Sequence, residues 1–247
     1  MRPIIGISAA WSCETWPKEH KEKNKFTPNF YYVGNDYVNA IYELGGIPLL
    51  ISPSVNSELN EIDMDNIFSR IDGLLLSGGG DIGINSGGSF VAYLKEQQSK
   101  RYDFESALIK KAWKYDIPTI GICRGHQMIA EVLGGTISDK PIPYHSNIDG
   151  ISNWNTLEVL PNTLLQKVVE SDHWRVNSYH TQVVLKLPSS FNVSAISVID
   201  NVIEAIEAVD KKFFVGVQFH PEKLISKDDK SKKLLTHFIQ KARERNN

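Results

Sequence analysis

The chain has few cysteines, no long apolar run and no excess of positive charge. Its 247 residues include only Cys13 and Cys123, too few for the disulfide framework of a small secreted protein. No apolar run approaches the roughly 18 residues of a membrane span, so we expect no membrane partner. The formal net charge of -2 gives no electrostatic reason to expect a nucleic-acid partner.

Signals for export, for a metal or for several domains are missing too. The first residues lack a basic stretch followed by an apolar one, so we expect a cytoplasmic protein. The seven histidines are scattered and form no HExxH motif, so neither a metal nor another cofactor is expected. No linker rich in Pro, Gly and Ser divides the chain, so we predict a single domain over residues 1–247.

Strand-like and helix-like segments alternate along the first half of the chain. The predicted strands are 3–9, 47–51, 71–76 and 117–120, and the predicted helices are 34–44, 58–70 and 103–115. This alternation indicates parallel strands with helices on both faces, and ligands bind such sheets at the carboxyl ends of the strands. Shorter strands in the second half predict an antiparallel or mixed portion at one side of the sheet, followed by a closing helix at 227–245.

The heptapeptide GICRGHQ at 121–127 lies between a predicted strand and a predicted helix. Gly121 and Gly125 stand two residues before and after Cys123, and they remove the Cβ atoms that would collide in a sharp turn. The pattern G-x-nucleophile-x-G is typical of a nucleophile elbow, here with Cys in place of Ser. The helix N-terminus behind the sulfur favours thiolate over thiol. We therefore predict that Cys123 is a nucleophile, whereas Cys13 is interpreted as an incidental thiol.

A candidate base lies near the other end of the chain, in the segment GVQFHPE at 216–222. His220 and Glu222 are two residues apart, so their side chains leave the same face of an extended segment. That spacing suits a carboxylate that orients an imidazole, which in turn pairs with a thiol. Each motif alone is also compatible with a structural role. Together they favour a Cys, His, Glu set.

Acyl transfer through a thioester passes through an oxyanion that needs backbone N–H donors. The Ser-Gly-Gly-Gly turn at 77–80 follows a predicted strand and allows close approach of the backbone to a ligand, although it could be only a tight turn. The second donor of an elbow is normally the N–H of the residue after the nucleophile, here Arg124. The sequence thus offers two candidate donors.

Polar residues near these motifs are candidates for substrate binding. Gln127 lies four residues after Cys123 and so on the same face of its helix. The segment NSYHTQ at 177–182 could contact the α-amino and α-carboxylate groups of an amino-acid substrate, although His180 could equally be a hydrogen-bonded structural histidine. The glycine-bearing segment 81–101 is either a selectivity loop or lid, or an ordinary surface loop.

These motifs, in this order along nearly the whole chain, resemble class I glutamine amidotransferases. The segments are PIIGIS (3–8), LSGGGD (76–81), GICRGHQ (121–127), GGT (134–136), NSYHTQ (177–182) and GVQFHPE (216–222). Within that family the chain is most similar to the γ-glutamyl-γ-aminobutyrate hydrolase branch, also known as the peptidase C26 group. The resemblance implies a flavodoxin-like, mostly parallel central sheet with helices on both faces and a small antiparallel portion.

The resemblance also implies roles for individual residues. Cys123 would be the nucleophile, His220 the general base and acid, and Glu222 its orienting partner. Gly79 and Arg124 would supply the oxyanion hole through backbone N–H groups. The implied substrate-binding residues are Gly78, Gly80, Asp81, Gln127, Ser178, Tyr179 and His180.

Three positions depart from the family pattern. Ile84 stands where the family usually has Pro, Thr181 replaces the second His of NSxHHQ, and Tyr102 replaces the Asp that usually follows Arg101. All three lie where substrate selectivity would be set. They affect the γ-aminobutyrate assignment more than the hydrolase assignment.

The leading hypothesis is a hydrolase that cleaves small γ-glutamyl amides through a γ-glutamyl thioester. One alternative is a glutaminase subunit that delivers ammonia to a partner synthetase, and another is γ-glutamyl transfer to an amine. A third is a binding protein without catalysis. The expected partner is a small γ-glutamyl amide, and the resemblance leaves a homodimer open. The leaving amine is not specified by the sequence.

Overall fold

A computed structural model describes residues 1–11, 30–53, 61–79, 98–138 and 153–245. The strands of these ranges are β1 (Ile4–Ser8), β2 (Ala10–Trp11), β3 (Tyr31–Tyr32), β4 (Ile47–Ile51), β5 (Gly73–Leu76), β6 (Thr119–Ile122), β7 (Thr136–Ile137), β8 (Asn153–Val159), β9 (His173–Ser178), β10 (Val184–Lys186), β11 (Phe191–Ser197), β12 (Ile203–Ala208) and β13 (Phe214–Val217). The helices are α1 (Asn35–Glu43), α2 (Glu61–Phe68), α3 (Ser99–Lys114), α4 (Arg124–Val132), α5 (Leu164–Val169) and α6 (Asp229–Glu244), with a 3-10 helix at Pro221–Lys223.

One large sheet of eleven strands organises the described residues. Its main path runs in the order β4-β1-β5-β6-β13-β12-β11-β8-β9, and β10 pairs with both β12 and β7. The first five strands of this path are parallel, and the pairings from β13 to β9 are antiparallel. The predicted combination of a parallel sheet with an antiparallel part at one side is therefore confirmed.

Helices cover both faces of the sheet, as the alternating pattern predicted. One buried cluster joins α1 and α6 to apolar side chains of the strands, among them Ile5, Leu75 and Ile120. The other joins α2, α3 and α4 to side chains that include Leu74 and Leu76. Strands buried on both faces account for the continuous apolar runs in the sequence.

The register of the parallel strands brings three separate loops to one edge of the sheet. Leu76 on β5 is paired with Gly121 on β6, and Gly121 is paired with Gly216 on β13. The glycine turn, Cys123 and His220 follow these residues within two to four positions. The carboxyl ends of neighbouring parallel strands therefore place the three predicted motifs side by side.

Some short elements were not predicted from the sequence. Helix α5 has six residues, and the Thr163 hydroxyl and the Glu207 carboxylate accept hydrogen bonds from its first N–H groups. Because one of these partners lies more than 40 residues away, the local pattern did not indicate a helix. None of the helices in the described ranges is long and apolar enough to cross a membrane.

Candidate active site

Cys123 lies on a strained turn between strand β6 and helix α4. Its φ of 53° is in the left-handed region, which is costly for a residue with a side chain and is common at functional sites. The backbone N–H of Cys123 donates to the Val217 carbonyl at 2.8 Å, and its carbonyl accepts from Gln127 N at 3.2 Å. These bonds hold the turn, and the side chain stays partly exposed at the N-terminus of α4.

The two glycines of the elbow are required by close backbone contacts. A Cβ atom on Gly121 would lie 2.5 Å from the Gly125 carbonyl oxygen. A Cβ atom on Gly125 would lie 2.2 Å from the carbonyl oxygen of Leu76. Both distances are shorter than any real Cβ contact, so the steric argument made from the sequence is confirmed by the geometry of the turn.

His220 and Glu222 form a buried pair beside this turn. The Nδ1 atom of His220 and Oε1 of Glu222 are 2.7 Å apart. The backbone of His220 is held by Asn177 on β9, whose Oδ1 accepts from His220 N at 2.9 Å and whose Nδ2 donates to His220 O at 3.1 Å. Asn177 therefore positions the histidine main chain, a role that sequence reasoning did not assign to it.

The electrostatics of His220 favour its charged form. Burial alone would lower the pKa of His220, but the charge of Glu222 and the charge and hydrogen bond of Cys123 together raise it to about 10. The two neighbours of the imidazole therefore favour its protonated form. The described residues thus bring together the thiol, the imidazole and the carboxylate that the sequence motifs predicted.

The glycine turn after β5 closes the other side of this group. A Cβ atom on Gly78 would lie 3.1 Å from both Cys123 Cβ and His220 Cε1, and 2.7 Å from Tyr37 Oη. Gly78 therefore has no room for a side chain. The next residue, Gly79, is exposed and has a φ of +94°, a conformation that favours glycine.

Tyr37 on α1 is a site residue that sequence reasoning missed. Its hydroxyl accepts a hydrogen bond from Gly78 N at 3.0 Å and lies 3.5 Å from Nδ1 of His220. Burial, followed by the charges of Glu222 and Cys123, raises the pKa of Tyr37 well above its usual value, so the phenol stays neutral. A tyrosine on the apolar face of a helix has no local signal that separates it from a core residue.

Two of the predicted substrate-binding residues point into a second buried group. Gln127 Nε2 donates to Gln182 O at 2.8 Å and to Gln218 Oε1 at 3.1 Å. His180 Nδ1 lies 3.1 Å from Gln182 O, and His180 Nε2 lies 3.4 Å from Glu204 Oε1. We call Gln127, His180, Gln182 and Glu204 the inner cluster. All four are at most 5% exposed.

The remaining predicted substrate residues are placed differently. Ser178 is buried at the end of β9, whereas the Tyr179 ring is 36% exposed and packs edge-on against the His220 imidazole at 5.9 Å. Tyr179 is therefore beside the reactive group and open to solvent. Gly80, Asp81 and residues 82–97 of the glycine-bearing segment 81–101 lie outside the described residues, so the predictions for them stay predictions.

No group of three or more potential metal ligands occurs among the histidine, cysteine, aspartate and glutamate residues that the structure describes.

Arg124, the residue after Cys123, is almost fully buried, and its Nε lies 3.5 Å from Oε2 of Glu105. The side chain of Arg124 is thus turned inward. The hypothesis that its backbone N–H serves an oxyanion does not depend on that side chain.

Comparisons with known proteins agree on the class of protein that this fold and site define. A glutamine amidotransferase from Thermotoga maritima superposes with a TM-score of 0.58, at 19% identity over 99% of this chain and 98% of its own. One subunit of the glutamine-hydrolysing GMP synthase from Methanothermobacter thermautotrophicus is 32% identical over 68% of this chain and 76% of its own. The chain has the fold of class I glutamine amidotransferases.

The family follows from a match over most of the sequence. Residues 3–222 match the family model described as Peptidase C26. Protein NtpR from Enterococcus hirae is 31% identical over 97% of this chain and 99% of its own length. The chain belongs to the peptidase C26 family, which confirms the resemblance inferred from the motifs.

Proposed function

We propose that the protein hydrolyses the amide bond of small γ-glutamyl amines through a γ-glutamyl thioester on Cys123. The observation that supports this most directly is the hydrogen-bonded series from Cys123 through His220 to Glu222, with 2.7 Å between the last two side chains. Family membership supports a hydrolase or amidotransferase. The γ-glutamyl amine as substrate is the finer part of the proposal.

The first half of the reaction forms the thioester. The Cys123 thiolate adds to the γ-carbonyl carbon, and the carbonyl oxygen becomes an oxyanion. The backbone N–H groups of Gly79 and Arg124 would donate to that oxygen. The His220 imidazolium then gives its proton to the amine nitrogen, the carbon–nitrogen bond breaks, and the amine leaves.

The second half releases glutamate. Neutral His220 takes a proton from water, and the resulting hydroxide attacks the thioester carbon. The tetrahedral intermediate collapses with cleavage of the carbon–sulfur bond, which restores the thiolate and the imidazolium. The Glu222 carboxylate holds the imidazole in the required orientation, as the carboxylate of a catalytic triad does.

Mass spectrometry of the intact protein tests this proposal. Wild type and Cys123→Ala are each mixed with glutamine and with a panel of γ-glutamyl amides whose amines carry a carboxylate, an ammonium or no charge. We expect wild type to release amine and to show a γ-glutamyl mass increase on Cys123, and we expect neither with Cys123→Ala. Turnover by Cys123→Ala at a substantial fraction of the wild-type rate would refute the mechanism.

A second candidate is a glutaminase subunit that passes ammonia to a partner synthetase. The similarity to a subunit of GMP synthase favours keeping it. The same panel separates the two candidates. A preference for glutamine over every substituted amide, together with stimulation by a co-purifying synthetase, would support the glutaminase, whereas hydrolysis of substituted amides by the isolated protein supports the hydrolase.

A further inference from the structure

We propose that Arg101, at the start of helix α3, is a positioning residue that aims the backbone N–H of Gly79 at the reaction oxyanion. This inference rests on the proposed function, because it assigns the glycine turn to an oxyanion hole. Arg101 would act by holding the turn and would not contact the substrate.

The guanidinium of Arg101 binds the carbonyl groups of three consecutive residues, Ser77, Gly78 and Gly79. Its Nη2 donates to Ser77 O at 2.7 Å and to Gly78 O at 3.1 Å. Its Nη1 donates to Gly79 O at 3.2 Å. Arg101 itself is 0% exposed, so these charge-assisted bonds form away from water, where they are strongest.

Because the peptide group is planar, a contact that fixes the Gly78 carbonyl also fixes the direction of the Gly79 N–H. In a trans peptide the C=O of one residue and the N–H of the next point to opposite sides. The peptide bonds of the described chain are trans. A guanidinium that binds Gly78 O from one side therefore turns the N–H of Gly79 to the other side. Gly78 faces Cys123 and His220, which are within 3.1 Å of its Cβ position.

The turn needs such support because it has little of its own. Gly78 and Gly79 are glycines, the residue type with the least restricted backbone conformation, and Gly79 has a positive φ. The hydrogen bonds of Ser77 with Ser8, and of Gly78 N with Tyr37, hold only the start of the turn. Without Arg101 the carbonyl groups of the two glycines would lose their buried donor, and the donor direction would be free to vary.

One carboxylate connects this support to the nucleophile side of the site. Oε1 of Glu105 accepts from Arg101 Nε at 2.8 Å and from Ser8 Oγ at 2.8 Å. Oε2 of Glu105 lies 3.5 Å from Arg124 Nε. Glu105 is 0% exposed, and it therefore contacts the side chains of both the residue that holds the glycine turn and the residue that follows Cys123.

The arrangement depends on the shape of arginine and not only on its charge. A planar guanidinium offers five N–H donors in a fixed fork, and Arg101 uses donors on all three of its nitrogen atoms. A lysine ammonium is a single point with three donors and cannot reach Glu105 and all three carbonyls together. Arg101→Lys therefore keeps the buried charge and removes the alignment.

The test compares wild type, Arg101→Lys and Arg101→Met, with Arg2→Lys as a matched control. Arg2 also donates to two backbone carbonyls, Tyr42 O and Gly46 O, but at the opposite ends of the strands. Five quantities are measured for each variant. They are kcat and KM with the best γ-glutamyl amide, the Ki of a γ-glutamyl aldehyde that forms a tetrahedral adduct with Cys123, the rate of Cys123 alkylation by iodoacetamide, and the melting temperature. Alkylation forms no oxyanion, so it reports the thiolate alone.

For Arg101→Lys we expect kcat to fall about 10- to 100-fold, somewhat less than the loss of an oxyanion donor outright. The Ki of the aldehyde should rise by a similar factor, while KM, the alkylation rate and the melting temperature stay close to those of wild type. Arg2→Lys should change none of these. If Arg101→Met does not fold, Arg101→Lys decides the result.

The outcomes separate this inference from the proposed function. An unchanged kcat in folded Arg101→Lys overturns the inference alone. A loss of kcat matched by an equal loss of alkylation rate also overturns it, since the residue would then act on the thiolate or on the fold as a whole. A wild-type protein that hydrolyses no member of the panel overturns the proposed function and this inference with it.

Discussion

Two close histidine–glutamate pairs occur within the described ranges, and one of them lies beside a cysteine. His220 and Glu222 are 2.7 Å apart and adjoin a partly exposed Cys123. His180 and Glu204, inside the inner cluster, are 3.4 Å apart, and these two side chains are 0–1% exposed. The same two residue types thus occur once beside a partly exposed cysteine and once inside a buried polar cluster. The two pairs therefore differ in the cysteine beside them and not in the residue types that form them.

The electrostatic settings of the two regions differ as well. Glu222 and Cys123 raise the pKa of His220 to about 10 despite its burial. By contrast, burial and the nearby His180 lower the pKa of His126, beside the inner cluster, to about 3. One region stabilises a charged imidazole and the other a neutral one. Each of the following variants tests this difference.

The largest expected effect is on catalysis when His220 is replaced. His220→Asn removes the group that donates and accepts the proton, so we expect kcat/KM to fall about 10³- to 10⁴-fold. The melting temperature should change by only a few degrees. Steady-state kinetics and thermal unfolding measure the two quantities. An activity within about tenfold of wild type would contradict the assigned role.

A variant of the inner cluster should have the opposite profile. Glu204→Ala removes a buried acceptor for Asn155 Nδ2 at 3.2 Å and the partner of His180. We expect the free energy of unfolding to fall by about 2–4 kcal/mol, with kcat of the folded protein changed less than about tenfold. Urea titration measures this. Glu158→Ala, an exposed glutamate on β8, is the control and should stay within about 0.5 kcal/mol.

The Glu222 carboxylate should set the alkaline limit of activity. In the proposed mechanism His220 must be protonated to release the amine, and its pKa of about 10 keeps it protonated through neutral pH. Glu222→Gln removes the charge that raises this pKa, so the alkaline limb of kcat/KM should move down by about one to three pH units. A pH profile of Glu158→Gln should match wild type. If the alkaline limb of the kcat/KM profile stays in place in Glu222→Gln, Glu222 does not set the pKa of His220.

The smallest effect expected is on stability in acid. The folded-state pKa of His126 is lowered from 6.5 to about 3, so between these values only the unfolded state binds the proton. Its contribution to stability is therefore present above pH 6.5 and is lost as the pH falls. We expect His126→Gln to remove about 1.4 kcal/mol per pH unit from the acid dependence of unfolding between pH 6 and 4. Exposed His173→Gln should leave the slope unchanged.

The parts of the fold that have local signals were predicted from the sequence. The strand at 47–51 matches its predicted bounds, and the elbow around Cys123 follows from glycines spaced to avoid backbone contact. The three motifs could be placed together because parallel strands end at the same edge of a sheet. These inferences needed only periodicity, glycine sterics and the rules of sheet topology.

The residues that were missed depend on contacts between distant parts of the chain. Tyr37 lies beside His220 across 183 positions of the chain, and Arg101 donates to carbonyl groups 22–24 positions away. Gln127 was predicted to lie on the same face of α4 as Cys123 and to bind substrate, and its amide donates to Gln182 O and Gln218 Oε1. Spacing on one helix predicts a face but not which neighbouring strand occupies it.

The contact between Gly125 and β5 has a consequence for how this site could be altered. The carbonyl of Leu76 ends the strand that leads into the glycine turn, and it would be 2.2 Å from a Cβ at position 125. The glycine at position 125 therefore sets the distance between the N-terminus of α4 and the end of β5. Even alanine at position 125 would push the start of α4 away from the end of β5. Variation of the site is therefore expected in the loops that follow the strands and not at the glycines of the elbow.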